Sequence, residues 1–141
     1  MNRIFFPVFL ALLCLFGCQP ELPAPGGELD ALYHTWTLVG IAQDNKWEAF
    51  PDELEVHTME LNAQSQASLT SSCNLGGGDY TVESSGSIDF ETSIWTEVYC
   101  GQLGAQWEKL YIESIESVEH FSIADDQLWL WNEEVSLRFK R

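Results

Sequence analysis

The chain has 141 residues, of which 22 are acidic and six are basic, and its formal net charge is −16. Binding to nucleic-acid phosphates needs clustered Lys and Arg, so this balance excludes a nucleic-acid partner, and the same charge repels an anionic membrane surface. The simplest meaning of the charge is solubility, and the alternative is attraction of a cation or a basic partner.

Residues 1–17 are predicted to be a secretory signal peptide. Arg3 gives this segment a positive start, and the run from Ile4 to Phe16 is almost wholly apolar. The run is shorter than the roughly 20 residues that a membrane-spanning helix needs. A short apolar core after a basic start is typical of an export signal.

The end of this signal, Leu15-Phe16-Gly17-Cys18, resembles the lipobox of bacterial lipoproteins. The resemblance implies cleavage before Cys18 and a lipid anchor on its side chain and new N-terminus. Several acyl chains hold a protein firmly, because each buried methylene contributes about 0.8 kcal/mol. Gln19 follows instead of Asp, which by resemblance to Gram-negative lipoproteins favours the outer membrane, on its periplasmic face or at the surface. The alternative is an ordinary signal peptide with a chance cysteine.

Residues 18–30 are predicted to be the lipidated Cys and a flexible tether. The segment carries three prolines and the pair Gly26-Gly27, and it has no apolar periodicity. Such a sequence is extended around its prolines and flexible at its glycines; proline disfavours the alternative of a short edge strand. The remaining residues, 31–141, are enough for one domain with a single core.

The first part of this domain alternates apolar and polar residues, which predicts strands at 33–42, 47–50, 56–61 and 67–72. In the first strand, Trp36 and Leu38 lie on one face and Ile41 on the other. In the third, Met59 and Leu61 form an apolar face. These strands are half-buried, with one face toward a core.

The triplet Gly76-Gly77-Gly78 is predicted to break the strand pattern. Three glycines in a strand context indicate a bulge or a place where another backbone comes close. Strands are predicted to resume at 80–83 and 87–90, and a further extended segment at 94–99 leads into Cys100.

After Gly101 the apolar period changes from two to that of a helix. Leu103, Trp107, Leu110 and Tyr111 predict one amphipathic helix over residues 102–114, with Glu108 and Lys109 on its other side.

The period returns to two after residue 118, and a turn at Asp125-Asp126 and a hairpin of 127–131 with 135–139 are predicted. A strand-rich chain with one helix predicts a mainly β (α+β) fold: a curled antiparallel sheet or small barrel with the helix packed on one side.

Trp129 and Trp131 are the candidate binding surface. Leu128 and Leu130 satisfy the core face of their strand, so a period of two places both indoles on the opposite face. Either that face is covered by the helix or the tether, or the indoles form an exposed pair, which usually marks a binding site.

Cys73 and Cys100 remain as the thiols available to the fold once Cys14 is cleaved and Cys18 is lipidated. An exported protein lies in an oxidising compartment, which favours a structural disulfide between them. Its contribution in the chain-entropy account is about 3–4 kcal/mol. A reduced structural pair and a redox-active or metal-binding pair remain as alternatives, although no CxxC spacing supports the last.

No catalytic or metal-binding motif is recognisable, whether HExxH, GxSxG, a Walker sequence or an EF-hand. His34, His57 and His120 lack ligand spacing and are interpreted as strand-surface or filling residues. The expectation is a protein that is not an enzyme and that has no cofactor and no metal.

A set of motifs across residues 32–139 resembles the META domain (HslJ-like) family. The set comprises Trp36-x-Leu38, Cys73-Asn74, Gly78-x-Tyr80, Thr96-x-x-x-Cys100, the helix with Trp107 and Leu110, and Leu128-x-Leu130. Two departures are Ser72, where the family usually has Gly, and Gly101-Gln102, where it commonly has Pro.

This resemblance implies a lipocalin-like curled sheet with one helix, in which Asn74, Gly78, Tyr80 and Thr96 are structural motif residues. It implies an envelope protein of poorly defined biochemistry, linked in some members to heat stress and antibiotic tolerance, and it supplies no catalytic residues.

The sequence therefore predicts a lipid-anchored envelope protein with a non-catalytic role in binding an unknown envelope protein. The first alternative is a small-molecule carrier or sensor that uses the inside of the curled sheet, and an enzyme is a weaker one. Bulky interior side chains at Trp36, Met59, Phe121 and Phe139 indicate instead that so small a barrel is filled.

Overall fold

The structure is a computed structural model that describes residues 22–141. The signal peptide and the lipidation of Cys18 fall outside the described residues and stay predictions. Within the described part of the chain, no helix has both the length and the apolar character needed to cross a bilayer.

The described chain forms nine strands and one α-helix after a short 3-10 helix at Leu29–Leu32. The strands are β1 (Thr35–Gln43), β2 (Lys46–Ala49), β3 (Thr58–Leu61), β4 (Gln66–Thr70), β5 (Leu75–Val82), β6 (Ile88–Trp95), β7 (His120–Ala124), β8 (Gln127–Trp131) and β9 (Val135–Lys140). The helix α1 spans Gly101–Ser117 and lies between β6 and β7 in the chain. It includes the predicted helix and extends one residue before it and three residues beyond it.

The strands form one antiparallel sheet in the order β6-β5-β4-β3-β1-β9-β8-β7, and β2 pairs with β1 beside this path. The two ends of the sheet curl toward each other, since Ser87 bridges His120 and the Ile88 N–H donates to the Glu119 carbonyl at 3.0 Å. Helix α1 contacts β6 and β9 and packs against the curled sheet. The predicted curled, lipocalin-like sheet with one packed helix is confirmed.

The concave side of the sheet is packed with large side chains. Trp36, Met59, Phe121 and Phe139 are all fully buried, as the sequence predicted for a filled barrel. The helix adds Tyr111, whose hydroxyl donates to the Thr58 carbonyl at 2.8 Å. Full burial of each large apolar side chain contributes about 1.5–3 kcal/mol, so this filled interior is the main source of stability.

A register shift in β1 changes which residues face the core. The pairing of β1 with β9 skips a residue between Leu38 and Gly40, so the alternation reverses there. Ile41, expected opposite Leu38, is therefore buried in the core with 1% exposure. Gly40 instead faces outward under Trp47, where an added Cβ would lie 2.4 Å from the indole Cζ2. The predicted face of Ile41 is wrong because a bulge is invisible to simple alternation.

The glycine triplet does not break its strand. β5 runs without interruption through Gly76, Gly77 and Gly78, and β6 is likewise continuous over the range where two separate segments were expected. The register shifts between Gly77 and Gly78, and a Cβ on Gly78 would lie 1.9 Å from the Glu91 carbonyl oxygen. The predicted bulge and close backbone approach are confirmed, and the predicted break is wrong because pairing on both sides holds the strand together.

The end of the predicted tether is part of the folded domain. The Gly26 N–H donates to the Phe121 carbonyl at 2.8 Å, and Gly26 bridges Ser122 of β7. Leu29 packs against the core and Leu32 is fully buried. Residues 26–30 thus differ from a flexible linker, because apolar leucines beyond the glycines fill one end of the sheet.

Candidate functional site

Trp129 and Trp131, the binding surface predicted from the sequence, are buried in the structure. Their face is the predicted one, since Leu128 and Leu130 are fully buried on the core side. However, Trp129 is only 7% exposed and Trp131 only 9%. The candidate binding surface at these indoles is therefore corrected to the packing alternative.

Side chains on the outer face of the sheet account for this burial. The Arg138 guanidinium lies between two indoles, 4.8 Å from the Trp47 ring centre and 5.5 Å from that of Trp129. His120 packs against Trp131 with ring centres 5.7 Å apart. Each of the two cation–π contacts of Arg138 contributes about 0.5–2 kcal/mol, and the His120–Trp131 ring contact adds to the packing of this face.

The N-terminal segment approaches this region of the sheet at two points. Leu22 shares a small cavity with Trp47 and Ser136 on the β9 side, whereas Gly26 is bonded to β7. The described N-terminal segment therefore lies close to this part of the sheet at two points, the cavity beside Trp47 and the edge of β7.

Cys73 and Cys100 form a disulfide, with their Cα atoms 5.7 Å apart. Cys73 lies in the turn between β4 and β5, and Cys100 is the residue immediately before helix α1. The bond therefore ties the start of the helix to one end of the sheet, as the structural interpretation of the pair predicted.

Asn74, the next residue, is 1% exposed and is the centre of a hydrogen-bond network. Its Oδ1 accepts from the Val98 N–H at 2.7 Å and the Thr96 hydroxyl at 2.9 Å. Its Nδ2 donates to the Val98 carbonyl at 2.8 Å and to the Glu108 carboxylate at 2.8 and 3.0 Å. One buried amide thus binds both main-chain groups of Val98 and connects them to the helix.

Glu108 is a site residue that the sequence analysis missed. It was placed on the outer side of α1, but the structure turns it inward to Asn74, and the Ser71 hydroxyl donates to the same carboxylate. A signal was present in the sequence, because Gly104, Glu108 and Tyr111 lie at spacings of four and three and so share one helix face. A charged residue on a helix face that is otherwise buried needs a hydrogen-bond partner, and Asn74 is a neutral polar residue that can be that partner.

Thr96 completes the network from the other side. Its hydroxyl donates to Asn74, and it accepts from the Leu75 N–H at 3.0 Å, while the Thr96 N–H donates to the Leu75 carbonyl at 2.9 Å. Residues 96–100, the braced loop, are therefore held by a disulfide at Cys100, by the Asn74 side chain and by the end of β5.

Gly78 and Tyr80, the other motif residues, support the sheet beneath this loop. Gly78 allows the close approach of β6 described above. Tyr80 is buried, stacks on Phe90 with ring centres 5.8 Å apart, and donates its hydroxyl to the Asn62 carbonyl at 2.7 Å. Burial raises the pKa of Tyr80 to about 12. In this chain Asn74, Gly78, Tyr80 and Thr96 brace the loop and the sheet beneath it.

The brace presents an exposed apolar surface. Leu75 is 62% exposed, Ile94 72%, Val98 59% and Tyr99 77%. We call these four side chains the apolar rim. Each comes from β5, β6 or the braced loop, so each is carried by backbone that is fixed on at least one side.

A groove begins at this rim and runs over the outer face of β4, β5 and β6. Its volume is about 460 Å³, and its lining includes Leu75, Ile94, Asp79 and the glycine triplet. Gly77 faces outward opposite Ile94, and the absence of a side chain there leaves a depression between Ile94 and β4. The glycines thus give both the close strand pairing and the floor of the groove.

The interior contains one histidine, His57, with a ring nitrogen that has no hydrogen-bond partner. His57 is fully buried beside Tyr111 and Phe50, and its Nε2 has no hydrogen-bond partner. Burial lowers the pKa of His57, so the neutral ring fills space at neutral pH, as the sequence analysis allowed. In the described part of the chain, no three His, Cys, Asp or Glu side chains are grouped to hold a metal ion.

Comparison with known proteins supports this fold. A family model described as META domain matches residues 29–141. No curated protein matches the chain. A protein from Burkholderia xenovorans, solved by NMR, is 22% identical with a TM-score of 0.65, over 88% of this chain and 94% of that one.

A second similar structure is a crystal structure of a DUF4847-family protein from Bacteroides vulgatus. It is 12% identical with a TM-score of 0.58, and the match covers 77% of this chain and 92% of the other. Similarity at these identities shows a shared fold and nothing about ligands or partners.

Proposed function

Because the chain belongs to the META domain family, we propose that it is a non-catalytic binding protein of the cell envelope, anchored by lipid at Cys18, that holds a partner protein on the apolar rim. The outer membrane is the proposed site, in agreement with Gln19 after the lipidated residue. A role in envelope stress or antibiotic tolerance is part of the same proposal and rests on the family resemblance alone.

One observation carries the binding role: the rim is exposed and rigid at once. Leu75, Ile94, Val98 and Tyr99 are each more than half exposed, although strand pairing, the disulfide at Cys100 and the buried Asn74 hold the backbone that carries them. Large apolar side chains exposed on ordered backbone are typical of a contact site. Since the loop is already ordered, a partner would bind without the entropic cost of fixing it.

The experiment that tests this role is photocrosslinking in cells. Ile94 is replaced by p-benzoylphenylalanine in the rim, and Val56, which is 55% exposed on a different part of the surface, is replaced in the control. We expect a discrete protein adduct after illumination from position 94 and none from position 56. Equal adducts from both positions, or none from position 94, would refute a partner at the rim.

The anchor is tested separately by Cys18→Ser. We expect this variant to move from the membrane to the soluble envelope fraction, because it loses the acyl chains that hold the protein. The matched control is Cys14→Ser, in the predicted signal peptide, which should leave the protein in the membrane. A Cys18→Ser protein that stays membrane-bound would contradict the lipobox interpretation.

A small apolar ligand in the groove is the second candidate function. The groove volume of about 460 Å³ falls in the range of roughly 300–1,000 Å³ that is usual for ligand sites. The interior of the sheet is less suited to a ligand, since Trp36, Phe121 and Phe139 fill it. Native mass spectrometry of the membrane-extracted protein distinguishes the two: a bound mass of a few hundred daltons beyond the anchor favours the ligand, and a co-isolated protein favours the partner.

A further inference from the structure

Resting on the proposed function, we infer that the partner held at the apolar rim is a cationic, amphipathic polypeptide segment. Its apolar side chains would pack on the rim, and its Lys and Arg residues would contact the carboxylates beside the groove. The argument comes from the charges that surround the rim.

Three exposed carboxylates lie in the braced loop or beside the groove, and we call them the acidic flank: Asp79, Glu91 and Glu97. Asp79 of β5 and Glu91 of β6 are direct cross-strand partners. Like charges in this position destabilise a sheet by about 0.2–1 kcal/mol. The sheet therefore carries a local electrostatic cost next to its most exposed apolar side chains, and a cationic partner would relieve it.

No basic side chain in the described structure neutralises this flank. The described ion pairs are Lys46 with Glu48, Lys109 with Glu113 and Arg141 with Asp126. Arg138 lies between two indoles on the opposite part of the sheet. Lys140, at the end of β9, borders a different cavity with Phe50 and Val56.

The charges also disfavour two other occupants of the rim, an anionic lipid surface and a second copy of the chain. An anionic lipid surface is repelled by the acidic flank and by the net charge of the chain. A second copy would bring two acidic flanks together around the apolar contact, which costs free energy. A cationic partner gains from both features, since opposite charges flanking an apolar contact raise the association rate and fix the orientation.

The test measures binding of labelled synthetic peptides by fluorescence anisotropy. The probe is a 14-residue Leu/Lys peptide with one apolar helical face, and its companion has Glu at every Lys position. The full chain is held in phosphatidylcholine nanodiscs, and empty discs supply the background. We expect the Leu/Lys peptide to bind at least about tenfold more tightly than the Leu/Glu peptide, and to lose most of this preference at about 0.5 M salt.

Two pairs of variants separate the rim from the flank. The rim variant is Leu75→Ser with Ile94→Ser, and its control is Val56→Ser. The flank variant is Asp79→Asn with Glu91→Gln, and its control, Asp52→Asn with Glu53→Gln, removes the same charge from an exposed turn elsewhere. We expect about tenfold weaker binding for the rim variant, about fivefold for the flank variant, and changes below twofold for both controls.

The outcomes distinguish this inference from the proposed function. If the rim variant weakens binding but the flank variant matches its control, or if the Leu/Glu peptide binds equally well, the cationic partner is refuted and the binding surface stands. If neither variant differs from its control, the cationic segment at the rim is refuted, and the crosslink from position 94 decides separately whether any partner binds there. Rim-dependent insertion into anionic vesicles, or rim-dependent dimerisation, would replace the inferred partner with a membrane or a second copy.

Discussion

Replacement of Asn74 by alanine should be among the most destabilising single changes in this protein. The side chain makes four hydrogen bonds, two with Val98 and one each with Thr96 and the Glu108 carboxylate. Each neutral bond contributes about 1 kcal/mol and the charged one about 2, which sums to about 5 kcal/mol. Water that enters beside the half-buried Glu108 would recover part of this, so we expect a loss of about 3–4 kcal/mol.

The assay is urea unfolding followed by tryptophan fluorescence under oxidising conditions. With a slope of about 1.5 kcal/mol per molar urea, the expected loss moves the midpoint down by about 2 M. Because domains of this size have a total stability of about 5–15 kcal/mol, Asn74→Ala should remain folded but be close to its limit.

Asn132→Ala is the matched control for this prediction. Asn132 makes three side-chain hydrogen bonds, one fewer than Asn74: its Oδ1 accepts from the Glu134 and Val135 N–H groups, each at 2.8 Å, and its Nδ2 donates to the Ser117 carbonyl at 2.7 Å. It lies in an accessible hairpin turn, where water can replace those bonds, so we expect a loss of about 1 kcal/mol. A loss at Asn74 no larger than that at Asn132 would refute the claim that burial makes this network important.

The stability of an Asn74→Asp variant should depend on pH. Its carboxylate would lie against that of Glu108, which raises the pKa of the new Asp above its ordinary value. A folded-state pKa above the unfolded one favours the protonated folded form. The variant should therefore be most stable at acidic pH and lose stability as the pH rises through that pKa, whereas Asn74→Ala should show no such trend.

Three further predictions follow from the same brace. Gly78→Ala should lower the free energy of unfolding by about 2–4 kcal/mol in urea, because the added Cβ would lie 1.9 Å from the Glu91 carbonyl oxygen. A decrease of less than about 1 kcal/mol would contradict the close approach of the two strands. Burial raises the pKa of Tyr80 to about 12, above the unfolded value near 10, so its contribution to stability is present below pH 10 and is lost as the pH rises through 12. Tyr80→Phe should reduce this alkaline loss of stability in urea unfolding, and an unchanged pH profile would contradict the prediction. The double variant Cys73→Ser, Cys100→Ser should be about 3–4 kcal/mol less stable to unfolding than the oxidised protein and as stable as the reduced protein. A variant that is equally destabilised relative to both forms would refute the structural role of the disulfide.

The motif residues and the apolar rim are parts of one arrangement. The disulfide and Asn74 hold the braced loop, and Val98 shows the result most directly, because its main chain is bonded on both sides while its side chain is 59% exposed. The disulfide and the Asn74 hydrogen bonds therefore stabilise backbone whose side chains contribute little to the core. Such an arrangement is expected where exposed apolar side chains must be held in place for a partner.

Alternation of residues along the chain was sufficient to predict the curled sheet, the helix and most of the core. Met59 and Leu61 face inward as their period of two requires, and Trp107 and Tyr111 face the sheet as their helical spacing requires. Such patterns are reliable because each reflects the geometry of its own element. The pairing of Cys73 with Cys100 was equally accessible, since the predicted export left no other partner.

Only the tertiary structure decided which of these faces is accessible. Trp129 and Trp131 lie on the strand face opposite Leu128 and Leu130 as predicted, but Arg138 packs on Trp129 and His120 packs on Trp131. The direction of Glu108 depends on the folded position of Asn74, which is 34 residues earlier in the chain. Periodicity along one element reports which side a residue occupies. What lies against that side is set by contacts between distant parts of the chain, which local sequence does not encode.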